Sequence, residues 1–175
     1  MTDLRFETDR LLIRPHEEAD FPAYAAYILE PKLRRDLGLE DVTDRDSAWE
    51  TFQWLQEHVE FLALTDRQSG RILGHICIHP PLDQLAADPA FQGKEGRSLS
   101  FAVAKEARRK GYMEEALRAL LPRLFQRGLA YVDCEVTDFN EASQALQKKL
   151  GFVNWGSMRF GDVELLIQIL ENPNK

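Results

Sequence analysis

At 175 residues the chain is long enough to bury a proper core and is read as a single domain, residues 1–175. Its 44% hydrophobic and 29% charged residues are those of an ordinary globular protein, and no apolar run approaches a membrane span. A net charge of -7 argues against nucleic acid as the main partner; it suits a cationic acceptor such as a protonated amine, though solubility accounts for it equally well. The first ten residues are too charged for a signal peptide, and Cys77 and Cys134 are too few for a disulfide framework. The expected compartment is the cytoplasm, with no membrane association.

Leu11 to Pro15 reads as a first strand closed by its proline. Asp20 is placed to cap a helix whose Phe21, Tyr24, Tyr27 and Ile28 share one face, with Pro22 in the first turn. Pro31 to Asp44 is charged and loop-like. A second helix begins after Asp46 or Ser47, with Ala48, Phe52, Leu55 and Val59 on its apolar face. Trp49 and Trp54 lie off that stripe, and serve either as edge packing or as a wall of an acceptor pocket. Glu60 to Leu64 and Ile72 to His79 form a hairpin around the turn residues 66–70. Pro80 to Gly96 is a long loop, expected to flank a substrate entrance.

Ser98 to Val103 is a strand. Met113, Ala116, Leu117, Leu120, Leu121, Leu124 and Phe125 then repeat at helical spacing, and Pro122 is expected to kink that helix or weaken a turn. Tyr131 to Thr137 alternates, with Val132, Cys134 and Val136 on one face and Asp133 and Glu135 on the other. Strand, crossover helix, strand implies a parallel pair. Asp138 or Asn140 caps a short helix carrying Ala142, Leu146 and Leu150. Phe152 to Trp155 and Val163 to Leu170 close the fold as antiparallel strands, and Asn172 to Lys175 is a tail.

Between the strand ending at Val103 and the helix starting near Tyr112 lies a basic loop with Arg108, Arg109, Lys110 and Gly111. A loop feeding a helix N-terminus offers unpaired backbone N–H groups and the positive end of the helix dipole, a site suited to phosphate. Gly111 admits a close backbone approach, and ligands of parallel strands gather at this carboxyl edge. A nucleotide-binding domain would use the same loop, but the Gly-x-x-x-x-Gly-Lys-Ser/Thr pattern is absent.

Asn140-Glu141-Ala142-Ser143-Gln144-Ala145-Leu146-Gln147-Lys148-Lys149-Leu150-Gly151-Phe152 resembles the C-terminal motif of the GNAT superfamily of N-acyltransferases. Arg108-Arg109-Lys110-Gly111-Tyr112-Met113 resembles that family's acyl-CoA signature. The start, Phe6 to Pro15, and Gly111 to Leu117 resemble the branch that contains ribosomal-protein N-terminal alanine acetyltransferases. The resemblance spans nearly the whole chain. It implies an α/β (α+β) GNAT fold: a mixed, mostly antiparallel twisted sheet with splayed central parallel strands and helices on both faces. It further implies acetyl-CoA as co-substrate, with pantetheine along Phe101 and Val103 and pyrophosphate on the amides from Arg109 to Met113, beside Arg108, Lys110, Gly111 and Tyr112. Asn140 would contact the pantetheine arm or a water beside it. The partner would be an amine acceptor, a protein N-terminus or a small amine, and the chain a monomer or homodimer.

The chemistry needs a base for the ammonium and an acid for the leaving thiolate. The family often carries a Tyr seven residues after the Asn as that acid; here Gln147 stands there, and Ser143 is the nearest substitute, either as proton donor or as a small residue packing on CoA. Ser98, Leu99, Ser100 and Phe101 replace a run that usually opens on Glu. Met113, in place of a small residue, either crowds the pyrophosphate or points into the core. Glu135 is the candidate base, against its reading as a solvated or ion-paired strand residue. His75, through water, is a second candidate. His75, Cys77 and His79 share a strand face, but nothing completes a zinc set and no metal is expected. Cys134 reads as core. The chain is therefore read as an acetyl-CoA-dependent N-acetyltransferase, the alternative being a catalytically weak acyl-CoA-binding module of the same fold.

Overall fold

The computed structural model describes residues 4–175. Among them the strands are β1 (Phe6–Glu7), β2 (Leu11–Pro15), β3 (Glu60–Asp66), β4 (Ile72–His79), β5 (Gly96–Val103), β6 (Tyr131–Thr137), β7 (Val153–Phe160) and β8 (Val163–Glu171). The helices are α1 (Phe21–Ile28), α2 (Pro31–Asp36), α3 (Arg45–His58), α4 (Asp83–Ala87), α5 (Tyr112–Gln126) and α6 (Glu141–Lys149). The strands form one mixed sheet in the order β1-β2-β3-β4-β5-β6-β8-β7. The β5–β6 pair is parallel, while the β1–β2, β2–β3, β6–β8 and β7–β8 pairs are antiparallel. Residue contacts group the chain into two compact units. One runs to Cys77 and takes in Phe101–Ala116; the other holds Ile78–Ser100 and Leu117–Lys175.

In the first unit, Leu11 and Ile13 of β2 are fully buried and their neighbours half-exposed, the alternation of a strand with one face on the core. Tyr24 of α1, Phe52 of α3 and Phe61 of β3 pack there with ring centroids 5.2–5.6 Å apart. Trp49 stacks on Phe52 and meets the edge of Phe21, so it is edge packing; Trp54 is half-exposed and stacks on His58. Three expectations are corrected. Pro31 opens a true helix, α2, because a proline suits the first turn and Leu33 has a core to enter. Helix α3 starts earlier than read, at Arg45, because the Asp44 carboxylate accepts from the Ser47 amide at 2.9 Å. Asp20 stands at the N-cap position of α1, but its side chain makes no cap bond there; it turns to Arg14 and to the Glu17 amide. At Gly74 an added Cβ would meet the Ala102 carbonyl oxygen at 2.1 Å, so only glycine lets β4 and β5 approach this closely.

In the second unit, Leu85 of α4 and Phe91 pack on Tyr131, Ile167 and Ile169 and close one face of the sheet. The long segment after β4 thus carries a short helix and a small core of its own. Helix α5 runs on through Pro122 to Gln126. Along α6 the buried residue is Gln147, whereas Ala142 is exposed and Leu146 and Leu150 are half-buried. The expected apolar stripe is therefore rotated, because Gln147 finds polar partners inside. β7 extends to Phe160, well beyond Trp155, held by its register with β8. The C-terminal residues are no loose tail: the Asn172 amide and side chain donate to Ala130 and Leu129 carbonyls at 2.8 Å each.

Candidate active site

The loop before α5 is built by long-range contacts. The Arg108 guanidinium donates to the Val103 carbonyl at 3.1 Å and to both carboxylate oxygens of Glu30. The Arg108 hydrogen bond holds Glu30 below the usual carboxylate range. Arg10 donates to the Lys110 carbonyl at 2.9 Å, pairs with Glu115 at 2.6 Å and lies 4.5 Å over the Tyr112 ring. Burial pushes Glu115 up, but Thr8 and Arg10 outweigh it and keep the carboxyl low. Arg109 and Gly111 both adopt left-handed backbone, φ 60° and 76°. Arg109, Lys110 and Gly111 are exposed. The helix scheme leaves the amides of Tyr112, Met113 and Glu114 without intrahelical acceptors. Met113 is buried, so its side chain belongs to the core.

In the second unit the parallel ladder pairs Gly96–Ser98 with Tyr131–Asp133. Past it, β6 goes on pairing with β8 as far as Thr137. Beside the ladder's end is a cavity of about 380 Å³ lined by His79, Pro80, Pro81, Leu82, Asp83, Ser98, Ser100 and Glu135. The Ser98 hydroxyl donates to Glu135 Oε2 at 3.2 Å, and Ser100 Oγ lies 2.9 Å from His79 Nε2. Burial raises the Glu135 carboxyl above its ordinary value and lowers His79. Larger cavities lie along α1 and along the C-terminal half of α5, and neither is lined by these groups.

On the opposite face of β6, Cys134 is buried, and burial pushes its thiol up. Gln147 Nε2 donates to Cys134 Sγ at 3.2 Å and to Ser143 Oγ at 3.1 Å. Ser143 Oγ thus receives one proton and keeps its own to give. Asn140 Oδ1 accepts from the Ser143 amide at 3.2 Å, so this residue caps α6. His75 is sealed among aromatic rings, its Nδ1 2.8 Å from the Tyr27 hydroxyl. Among the described residues no three His, Cys, Asp or Glu side chains are grouped to hold a metal ion.

Of the residues singled out from sequence, Glu135 stands with Ser98 at the cavity, Ser143 with Asn140 and Gln147 on α6, and Arg108 to Met113 on the loop. Phe101 and Val103 are half-buried on β5. Sequence reading missed Arg10, Glu30 and Asp133 as parts of these clusters. The only local signal was the position of Asp133, two residues before Glu135 on the same strand face.

A protein-family model described as the acetyltransferase (GNAT) domain matches residues 10–153. The chain belongs to the GNAT acetyltransferase family. Its fold is shared by solved structures of low identity. A GNAT-family acetyltransferase from Bordetella pertussis is 24% identical with a TM-score of 0.76, over 94% of this chain and 98% of that one. A ribosomal-protein-S5-alanine acetyltransferase from Vibrio fischeri is 14% identical with a TM-score of 0.71, over 98% of each chain. A ribosomal L7/L12 α-N-protein acetyltransferase in complex with coenzyme A is 16% identical with a TM-score of 0.76, over 96% of this chain and 97% of that one. No curated protein sequence matches the chain. As a member of the GNAT family the chain is an acetyltransferase by descent. No helix among its described residues is long and apolar enough to cross a membrane.

Proposed function

We propose that the chain transfers an acetyl group from acetyl-CoA to a primary amine, a protein or peptide N-terminus or a small amine, by direct attack of the amine on the thioester. One observation carries this reading. Just past the end of the β5–β6 ladder, β6 presents Glu135 with its cavity on one face, and on the other face, through Cys134 and Gln147, the hydroxyl of Ser143. The reaction must remove a proton from the attacking nitrogen and deliver one to the leaving sulfur, and β6 with its neighbour α6 carries a candidate for each role.

Glu135 takes the ammonium proton, helped by the burial that raises its proton affinity. In this reading a backbone N–H of β5 near Phe101 or Ala102 is the group assigned to the developing oxyanion. Ser143 gives its proton to the sulfur, and Gln147 fixes the hydroxyl's orientation. The co-substrate supplies the activated acetyl group, and proximity supplies much of the acceleration. Its pyrophosphate is assigned to the amides from Arg109 to Met113, where Arg108 and Arg10 brace the loop while Arg109 and Lys110 supply charge. Asn140 lies at the start of α6, where the family motif meets the pantetheine arm.

The test combines thermal melting with acetyl-CoA and an assay of CoA release against an amine panel that includes N-terminal Ala and Ser peptides. Stabilisation with amine-dependent release of CoA is the expected result. Stabilisation without release from any amine would make the chain a binding module, and no stabilisation at saturating acetyl-CoA would sink both readings.

A further inference from the structure

Glu135 shares its strand face with a second carboxylate that the proposed chemistry leaves unused. Asp133 is fully buried, and neither carboxylate oxygen has a hydrogen-bond partner among the described residues. Ser98 stands opposite it in the β5–β6 ladder, yet the one Ser98 proton goes to Glu135. An ionised carboxylate buried without a donor is costly, so such a group keeps its proton. Burial pushes the Asp133 carboxyl up to about 7; the nearby Ser98 hydroxyl and Leu82 backbone oppose this, and the Glu135 charge adds to it.

The surroundings offer no cation to relieve a second charge. On β6 the same face carries Tyr131, whose hydroxyl also has no hydrogen-bond partner among the described residues. β5 contributes the hydroxyls of Ser98 and Ser100, and β4 ends in His79, which burial keeps neutral. The segment over the cavity brings Asp83, and β8 places apolar Ile167 and Ile169 beside β6. Among the described residues no Lys or Arg lines the cavity.

We propose that Asp133 is a positioning residue for Glu135: the two carboxyls, with Ser98 between them, carry one proton in the resting protein, and Asp133 thereby sets the base strength of Glu135. This rests on Glu135 being the base for the acceptor amine. When an ammonium N–H bond breaks, its proton goes to Glu135. The pair passes from one proton to two, and its net charge falls from one negative to none as the amine loses its positive charge. Ionisation of Asp133 above about 7 makes Glu135 a stronger base, because two adjacent negative charges repel.

The test compares pH profiles of kcat/KM for the amine in the native enzyme, Asp133→Asn and Glu135→Gln. Asp133→Asn keeps the shape and removes the ionisation. The native enzyme should show a further rise in kcat/KM as Asp133 ionises near pH 7, and Asp133→Asn should lose that rise while keeping the lower acidic limb, with the KM for acetyl-CoA unchanged. Glu135→Gln should lose on the order of 100-fold in rate above the acidic limb and converge on the native enzyme below it. If Glu135→Gln stays fully active, the base assignment fails, and this inference with it. If Glu135→Gln is impaired but Asp133→Asn keeps the rise near pH 7, the inference alone is overturned. An infrared measurement on the native protein needs no variant to fold. A buried protonated carboxyl band should be present one pH unit below about 7 and vanish one unit above it. Its absence at the lower pH would overturn the shared proton.

Discussion

Ser143 and Gln147 lie four residues apart on α6, one helical turn, and meet at 3.1 Å. By pattern Gln147 is a defect, since an amide cannot protonate a thiolate. By geometry it is a buried donor that fills one lone pair of the serine and leaves the serine proton to act. Ser143→Ala should therefore lower kcat by roughly 10² to 10⁴-fold. The KM for acetyl-CoA should stay within about twofold, because uniform binding is untouched. Steady-state kinetics at saturating amine checks this, and unchanged kcat would remove Ser143 as the acid. A second residue-scale argument concerns Arg14 and Asp20, paired at 2.7 and 2.8 Å and both largely buried. Burial pushes the Asp20 carboxyl up, but hydrogen bonds from Arg14, the His16 ring and the Glu17 backbone outweigh it and hold it well below the usual range. A depressed carboxyl contributes stability above its ordinary unfolded pKa, and that contribution fades as pH falls towards the folded value. Arg14→Ala should cost about 3 kcal/mol at neutral pH by leaving the Asp20 carboxylate buried without its cation. Urea unfolding at neutral and acidic pH should show the difference from the native protein shrinking on acidification.

At the scale of elements, the parts legible in the sequence were those whose periodicity agrees with their burial. The strands β2, β4 and β6 and the helix α5 fall within two residues of the bounds read from spacing and caps. What could not be read depended on partners far along the chain. Edge strand β7 is exposed along both faces, so it shows no alternation; only pairing with β8 defines its length. The Gln147 face of α6 breaks the apolar rule because its polar partners come from Cys134 and Ser143. Arg108 read as one of the cations of the basic loop, yet Glu30, 78 residues away, pairs with it. The site was legible to the same degree: the loop and the α6 motif are local in sequence, whereas Asp133 gains its meaning from Ser98 and the overlying segment. The loop carries a prediction of its own. Gly111 has φ 76°, and an added Cβ would sit 3.5 Å from an Arg10 nitrogen, so space is available but the backbone is strained for any other residue. Gly111→Ala should bear that strain alone and weaken acetyl-CoA a few-fold. Gly111→Glu adds a negative charge where the pyrophosphate is proposed to lie, and affinity should fall by about 100-fold or more. Calorimetric titration of both variants separates strain from charge; equal affinities would place the pyrophosphate elsewhere.

For the whole molecule, the two compact units are not successive stretches of chain. Their boundaries fall inside elements: within β4 after Cys77, within β5 after Ser100 and within α5 after Ala116. Helix α5 cannot melt on one side of its boundary and keep the bonds at the junction, because each N–H there reaches a carbonyl four residues back across it, and β4 and β5 run through their boundaries as continuous strands. Independent unfolding of either unit would break two strands and a helix in mid-length. We therefore expect a single cooperative transition, with calorimetric and van't Hoff enthalpies equal. Binding of acetyl-CoA then has only one transition to act on. At a free concentration of about 100 times Kd it adds about 2.7 kcal/mol. In a chain of this size that is roughly 5–11 °C in Tm, at about 2–4 °C per kcal/mol. Scanning calorimetry with increasing acetyl-CoA should show one peak moving upward without splitting. A peak that divides, with one part fixed and one part rising, would mean that the ligand stabilises one unit alone and that the shared strands do not couple them.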